Sequence, residues 1–96
     1  MELLITYDVN TETAAGRRRL RRVAKVCERF GQRVQLSVFE CVIDQVNLAL
    51  LIDALEQEID VEQDNLRLYR LQEPRKKYVT VLGKPLEHDQ REPLIF

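Results

Sequence analysis

Arg33-Val34-Gln35-Leu36-Ser37-Val38-Phe39-Glu40-Cys41-Val42-Ile43 opens as a clean alternation, with Val34, Leu36 and Val38 against Arg33, Gln35 and Ser37. The alternation then slips by one residue, because Phe39, Cys41 and Ile43 continue the polar series. Successive strand side chains point to opposite faces, so a slip demands a bulge or a tight reversal, here near Val38-Phe39. The stretch is either one bent strand or two short ones. Phe39 carries the same choice. It is core reached through the bulge, or it stands on an open sheet face and packs against another subunit.

Upstream, Glu2 to Val9 reads as a strand, with Leu3, Ile5 and Tyr7 on one face and Leu4, Thr6 and Asp8 on the other. Asn10-Thr11-Glu12-Thr13 is turn and N-cap chemistry. A helix follows from Thr13 or Ala14 to Phe30. Leu20, Val23, Ala24, Cys27 and Phe30 form its apolar stripe, and Arg18, Arg22, Lys25 and Arg29 share the opposite side. Gly31 is placed as its C-cap. Downstream, Asp44 caps a second helix to Ile59, with Leu48, Leu51, Ile52, Leu55 and Ile59 as its stripe. An acidic loop, Asp60 to Asp64, leads to a strand from Asn65 to Leu71. Glu73 to Lys77 is a polar, basic connector. Tyr78 to Leu82 reads as a further short strand closed by Gly83, and Lys84 to Glu92 as an irregular polar segment before the apolar end Pro93-Leu94-Ile95-Phe96.

The order is βαββαβ with an extra strand, an α+β ferredoxin-like sandwich with both helices on one face of the sheet. Residues 1–82 make one domain, and 83–96 a tail that packs on a partner subunit. At 96 residues the chain buries about 60–65% of its unfolded surface, a thin core that a second subunit would complete. The open sheet face and the apolar tail both favour a symmetric homodimer, the tail adding to a neighbour's sheet edge. No apolar run approaches the ~20 residues of a membrane span. Met1 to Ile5 lacks the basic start of a signal peptide. Cys27 and Cys41 lack CxxC spacing and sit in apolar stretches, as reduced thiols of a cytoplasmic protein do.

The formal net charge is −1, from 15 basic and 16 acidic residues, which on its face argues against nucleic acid. The distribution argues otherwise. From Thr13 to Gln35, Arg17, Arg18, Arg19, Arg21, Arg22, Lys25, Arg29 and Arg33 face only Glu28, a block of +7. From Glu40 to Leu66 there are eight acids and no base, a block of −8. Cations at a helix N-terminus oppose the helix dipole, so a purely structural helix gains nothing from them. Phosphate binding accounts for them, since a basic ridge and the free N–H groups of a helix start attract the same anion. The plainer account is a solvated helix face that pairs with the acidic helix of the same chain.

Asp8, at the end of the first strand, is the candidate for chemistry. A lone Asp there is commonly an Asx-turn or capping residue. One carboxylate is also a sparse Mg²⁺ site, since Mg²⁺ takes one or two carboxylates with waters and phosphate oxygens. Two Asp8 side chains across a two-fold axis would make a pair. There is no Gly-rich phosphate loop, no His-based triad and no nucleophile motif, and the single histidine, His88, reads as an exposed loop residue.

Tyr7-Asp8-Val9, the arginine-rich helix from Arg17, and Gly31-Gln32-Arg33-Val34-Gln35-Leu36-Ser37-Val38-Phe39-Glu40-Cys41 together resemble the CRISPR-associated Cas-two (Cas2) family over nearly the whole chain. The ending Glu92-Pro93-Leu94-Ile95-Phe96 is similar to the subtype I-C branch. The resemblance implies a ferredoxin-like homodimer whose C-terminal strand crosses to its partner. It implies a role in spacer acquisition, between two integrase (Cas-one) dimers and along a prespacer DNA duplex. It also implies an Mg²⁺-dependent endonuclease acting on single-stranded RNA or double-stranded DNA. Asp8 takes the metal-ligand and catalytic position, Arg17, Arg18, Arg19, Arg22 and Arg33 the nucleic-acid-binding positions, and Tyr7, Ser37 and Phe39 lie beside the site. Leu94, Ile95 and Phe96 form the dimer tail. Asn10 to Gly16 departs from the family pattern in lacking the frequent proline.

The readings of function are then an adaptor that grips duplex backbone, a metal-dependent nuclease, and a toxin-like mRNA interferase related to it. A small-molecule regulatory domain on the same fold is disfavoured by the arginine run and by the absent Gly-rich loop.

Overall fold

The computed structural model describes residues 1–84. Its elements are β1 (Glu2–Asp8), α1 (Ala14–Phe30), β2 (Gln32–Gln35), β3 (Val38–Val42), α2 (Gln45–Glu58), β4 (Asn65–Leu71) and α3 (Arg75–Tyr78). The four strands form one sheet in the order β2-β3-β1-β4, antiparallel at every pairing. This is the α+β, ferredoxin-like arrangement expected from the sequence.

The slip in the alternation is a hairpin. Arg33 lies opposite Phe39 and Gln35 opposite Val38, with an irregularity between Arg33 and Gln35. The chain reverses at Leu36-Ser37, and Leu36 is 86% exposed, not on a face with Val34 and Val38. Phe39 pairs across β1 with Ile5, and both are fully buried. Phe39 is therefore core, and the alternative of a subunit contact through its ring is withdrawn. The reversal at Leu36-Ser37 shifts the parity by one and the irregularity between Arg33 and Gln35 shifts it back, so Phe39 shares a face with its partner Arg33.

Leu3, Ile5, Tyr7, Phe39 and Cys41 form the helix-facing side of the sheet, met by Val23, Val26 and Cys27 of α1 and by Leu51 and Leu55 of α2. Cys27 and Cys41 are free and buried. Burial pushes the Cys27 thiol up to about 12, so it stays protonated and unreactive at neutral pH. Ile52, expected in the buried stripe, is 38% exposed on the flank of α2.

Each long helix has a side-chain cap. Thr13 Oγ1 accepts from the Gly16 amide at 3.0 Å, and Asp44 Oδ1 from the Asn47 amide at 2.8 Å. Gly16 is required by proximity: a Cβ there would land on the Asn10 carbonyl oxygen. Gly31 closes α1 as its C-cap, its amide donating to the Cys27 carbonyl at 2.9 Å from an extended conformation (φ −157°). It is small because the Glu40 carbonyl passes against it.

The expected strand from Tyr78 to Leu82 is not formed among the described residues. The basic connector is instead a single helical turn, α3, and 79–82 pairs with no strand. Arg75 accounts for the change of direction. Its amide donates to Glu2 Oε2 at 2.9 Å, and its Nε lies 3.7 Å from Glu40 Oε1. Glu2, Glu40 and Arg75 are all buried. Glu2 and Glu40 stand on the even-numbered sheet face, away from the helices, so Arg75 draws α3 across it. The remainder of that face carries Leu4, Thr6 and Asp8 of β1, Val42 of β3 and Tyr69 of β4, the last two nearly half exposed. The expectation for the tail, Leu94, Ile95 and Phe96 included, lies outside the described residues. No described helix is long and apolar enough to cross a membrane.

Candidate nucleic-acid interface

Asp8 ends β1 on the even-numbered face, exposed, with its backbone opposite Asn65 of β4. The duties a lone aspartate often has there are performed by neighbours. Asn10 Oδ1 accepts from the Glu12 amide at 2.9 Å, and Thr13 caps α1. Among the described residues no lysine or arginine is ion-paired with Asp8. No described group of three or more His, Cys, Asp or Glu gathers to hold a metal. Asp8 is thus an exposed carboxylate with no metal-holding group around it among the described residues, a hard oxygen donor of the kind Mg²⁺ takes singly or in pairs.

Tyr7 faces the other way. Its ring lies 6.2 Å from that of Phe39 at 25°, and the Arg33 guanidinium sits 5.1 Å from the Phe39 ring centre. The Tyr7 amide donates to the Ser37 carbonyl at 3.2 Å, tying the hairpin turn to the end of β1. Burial raises the Tyr7 phenol above its ordinary value, partly offset by a hydrogen bond with Arg33. Tyr7, Arg33, Ser37 and Phe39 therefore lie together at the hairpin. Asp8 is not in this cluster. It stands on the opposite face of the sheet, and Arg33 is turned toward Glu28, 3.9 Å away.

The arginine run divides. Arg18, Arg21, Arg22 and Lys25 line a shallow groove on the outer surface of α1. Arg17 is exposed beside them and donates from Nη1 to the Thr11 carbonyl at 3.2 Å. No acid stands in the first turn of the helix to offset this charge. Arg19 points away from the groove. Its Nε is 2.8 Å from Asp64 Oδ2 and its Nη2 3.2 Å from Oδ1. Asp64 also accepts from the amides of Asn10 and Asp60, at 3.1 and 2.9 Å. The Arg19 guanidinium first of all, and these amides with it, hold the Asp64 carboxyl below its ordinary range.

Arg19–Asp64 is, among the described residues, the ion pair that joins the basic block to the acidic one. Among the described residues no ion pair joins the rest of the ridge to α2, so its arginines stand exposed to solvent. Asp64 was not singled out by reading the sequence. It looks like one more acid in an acidic loop, and its partner is 45 residues away. The same holds for Glu2 and Glu40, which bracket Arg75.

The family model described as CRISPR associated protein Cas2 matches residues 1–79. The chain belongs to the Cas2 family. It is 54% identical over 95 residues to the CRISPR-associated endoribonuclease Cas2 1 of Moorella thermoacetica, covering 99% of both chains. It is 49% identical over 96 residues to the CRISPR-associated endonuclease Cas2 of Halalkalibacterium halodurans, covering the whole of each. Among solved structures, Streptococcus pyogenes Cas2 at pH 6.5 superposes with a TM-score of 0.79 at 49% identity, covering 86% of this chain and all of that one. The α+β fold and antiparallel sheet described above are thus those of Cas2 proteins.

Proposed function

We propose that this Cas2 protein is a homodimeric nucleic-acid-binding adaptor of CRISPR adaptation. It holds duplex DNA along α1 for the integrase (Cas-one) and carries a conditional, Mg²⁺-dependent endonuclease activity at Asp8. The observation that carries the reading is the exposed ridge of Arg17, Arg18, Arg21, Arg22 and Lys25, which the acidic helix leaves unneutralised. Cations on a helix surface grip phosphates without reading base sequence. Binding by this ridge should weaken steeply with salt, with log K falling at a slope near −4 for four or five contacts. A flat response in a salt series by fluorescence anisotropy overturns the ridge.

The dimer uses the even-numbered sheet face. Leu4, Val42 and Tyr69 supply its apolar surface, and the tail with Leu94, Ile95 and Phe96 adds to it. That face also presents Asp8, so two copies would offer a pair of carboxylates. Asp8 of each subunit would hold the ion, which when bound polarises a phosphoryl oxygen and acidifies a coordinated water. The substrate class is single-stranded RNA or double-stranded DNA, as the relatives' names of endoribonuclease and endonuclease suggest. The protein is cytoplasmic in this reading, in keeping with its free, buried thiols.

A second reading, an adaptor without cleavage, is favoured by Asp8 belonging to no metal-holding group among the described residues. Asp8→Asn separates the two. Loss of cleavage with duplex binding intact supports the nuclease. Cleavage undiminished in carefully purified Asp8→Asn removes Asp8 from catalysis, while spacer acquisition unchanged by the substitution supports the pure adaptor.

A further inference from the structure

α2 exposes large apolar side chains on its outer side as well as burying them on its inner one. Leu51 and Leu55 are buried against the sheet, yet Val46 on the outer side is 70% exposed and Leu50 55%. Ala49 lies with them, exposed, so spacings of three and four residues make one outer stripe. Asp53, four and three residues on from Ala49 and Leu50, closes the stripe at its C-terminal end, and Glu56 stands beside it, both exposed, within a segment that carries no base. The Asp53 carboxylate accepts from Gln57 Nε2 at 2.9 Å, a bond that leaves its charge uncompensated.

The charges select the occupant. Phosphates and anionic lipid are repelled. A second copy meeting α2 with α2 would oppose acids to acids. The segment from Lys84 to Phe96 holds Glu87, Asp89 and Glu92 against Lys84 and Arg91, so it lacks the complementary charge. We propose that the outer face of α2 docks an amphipathic helix of a partner protein, its apolar stripe flanked by lysine or arginine. Leu50 and Val46 supply the apolar contact, Asp53 and Glu56 the orientation. One helix face buries less than the ~800 Å² per partner of a stable complex, so the contact alone is weak and sets position within a larger assembly.

The test is an NMR titration of the isotope-labelled full chain with a synthetic helical peptide of about five turns, leucine on one side and lysine on both flanks. Amide shifts should centre on Val46 to Gln57. Val46→Glu with Leu50→Glu should weaken binding by at least about tenfold, although it adds negative charge that lysine would favour. Asp53→Lys with Glu56→Lys should weaken it by a similar factor. Both pairs are exposed, so the variants fold, and unchanged spectra away from α2 verify it. Shifts centred elsewhere, a Val46→Glu/Leu50→Glu variant that binds like the parent, or equal binding of a peptide with glutamate flanks overturns the proposal. So does a change in the sedimenting mass of the free Val46→Glu/Leu50→Glu protein, which would make the face an interface between copies. Shifts at residues 85–96 in that free variant would make the chain's own tail the occupant, and also end the proposal.

Discussion

α1 and α2 lie side by side on one face of one sheet, and their outer surfaces have opposite chemistry. α1 separates apolar from polar sharply: Val23 and Cys27 are fully buried, and Arg18, Arg22 and Lys25 are exposed. α2 scarcely separates them, with Leu51 buried and Leu50 next to it 55% exposed. Packing on the sheet asks the same of both helices and leaves the outward sides unconstrained. The outward sides differ accordingly, one cationic and one partly apolar with acids. The net charge of −1 hides a +7 block that contains α1 and a −8 block that contains α2, and describes neither.

The strongest test lies within α2. Leu51→Ala should cost about 2–5 kcal/mol in urea denaturation at fixed protein concentration, because it empties a closed core site. Leu50→Ala, one residue on, should stay within about 0.5 kcal/mol, as exposed changes do. Equal costs would mean that the outer face is as covered as the inner one in solution.

Charge reversal comes next. Arg18→Glu with Arg22→Glu should lower duplex affinity about 100-fold at low salt, since two phosphate contacts become repulsive. Asp53→Lys with Glu56→Lys should leave that affinity unchanged or raise it. Fluorescence anisotropy reads both. A similar loss from both pairs would mean that α2 also touches nucleic acid.

The caps should show no such contrast. Thr13→Ala and Asp44→Ala each remove one bond to an amide three residues on, and each should cost about 1 kcal/mol in thermal or urea unfolding. A large difference between them would show that the basic first turn of α1 leans on its cap more than the dipole argument allows.

The smallest effect concerns the pair that links the blocks. The Asp64 carboxyl is held below its ordinary range in the folded chain, chiefly by Arg19. Its contribution to stability is complete above the unfolded value of about 4 and is lost as pH falls through the lower folded value. Asp64→Asn should therefore be less stable near neutral pH, and its stability should vary less between pH 5 and 2. Parallel stability–pH curves for parent and variant would show that the bond to Arg19 is not formed in solution.

Much of this was legible along the chain. The bounds of both helices follow from Thr13, Asp44 and the apolar spacing, and the observed ends agree closely. The parity slip at Val38-Phe39 announced that the chain turned or bulged there. It did not say which, because a hairpin and a bulge shift the pattern by the same single residue. Asp8, Tyr7 and Phe39 stood out in a family pattern, but a pattern gives order along the chain and not side of the sheet. That Asp8 and Arg33 lie on opposite faces is a fact of register. α3 was misread because Arg75 looked like one base among several, and nothing local marks it for burial between Glu2 and Glu40.

Periodicity, capping residues and block charge are local, so order of elements, fold class and the presence of a cationic helix could be read directly from the residues. Long-range pairing is different in kind. Which arginine of a run is captured by Asp64, which basic residue α3 buries, and which face holds Asp8 depend on contacts between positions tens of residues apart. Those contacts exist only once the sheet has set its register. Arg19 and Arg18 are neighbours with the same side chain, and folding alone ties one to Asp64 and leaves the other exposed.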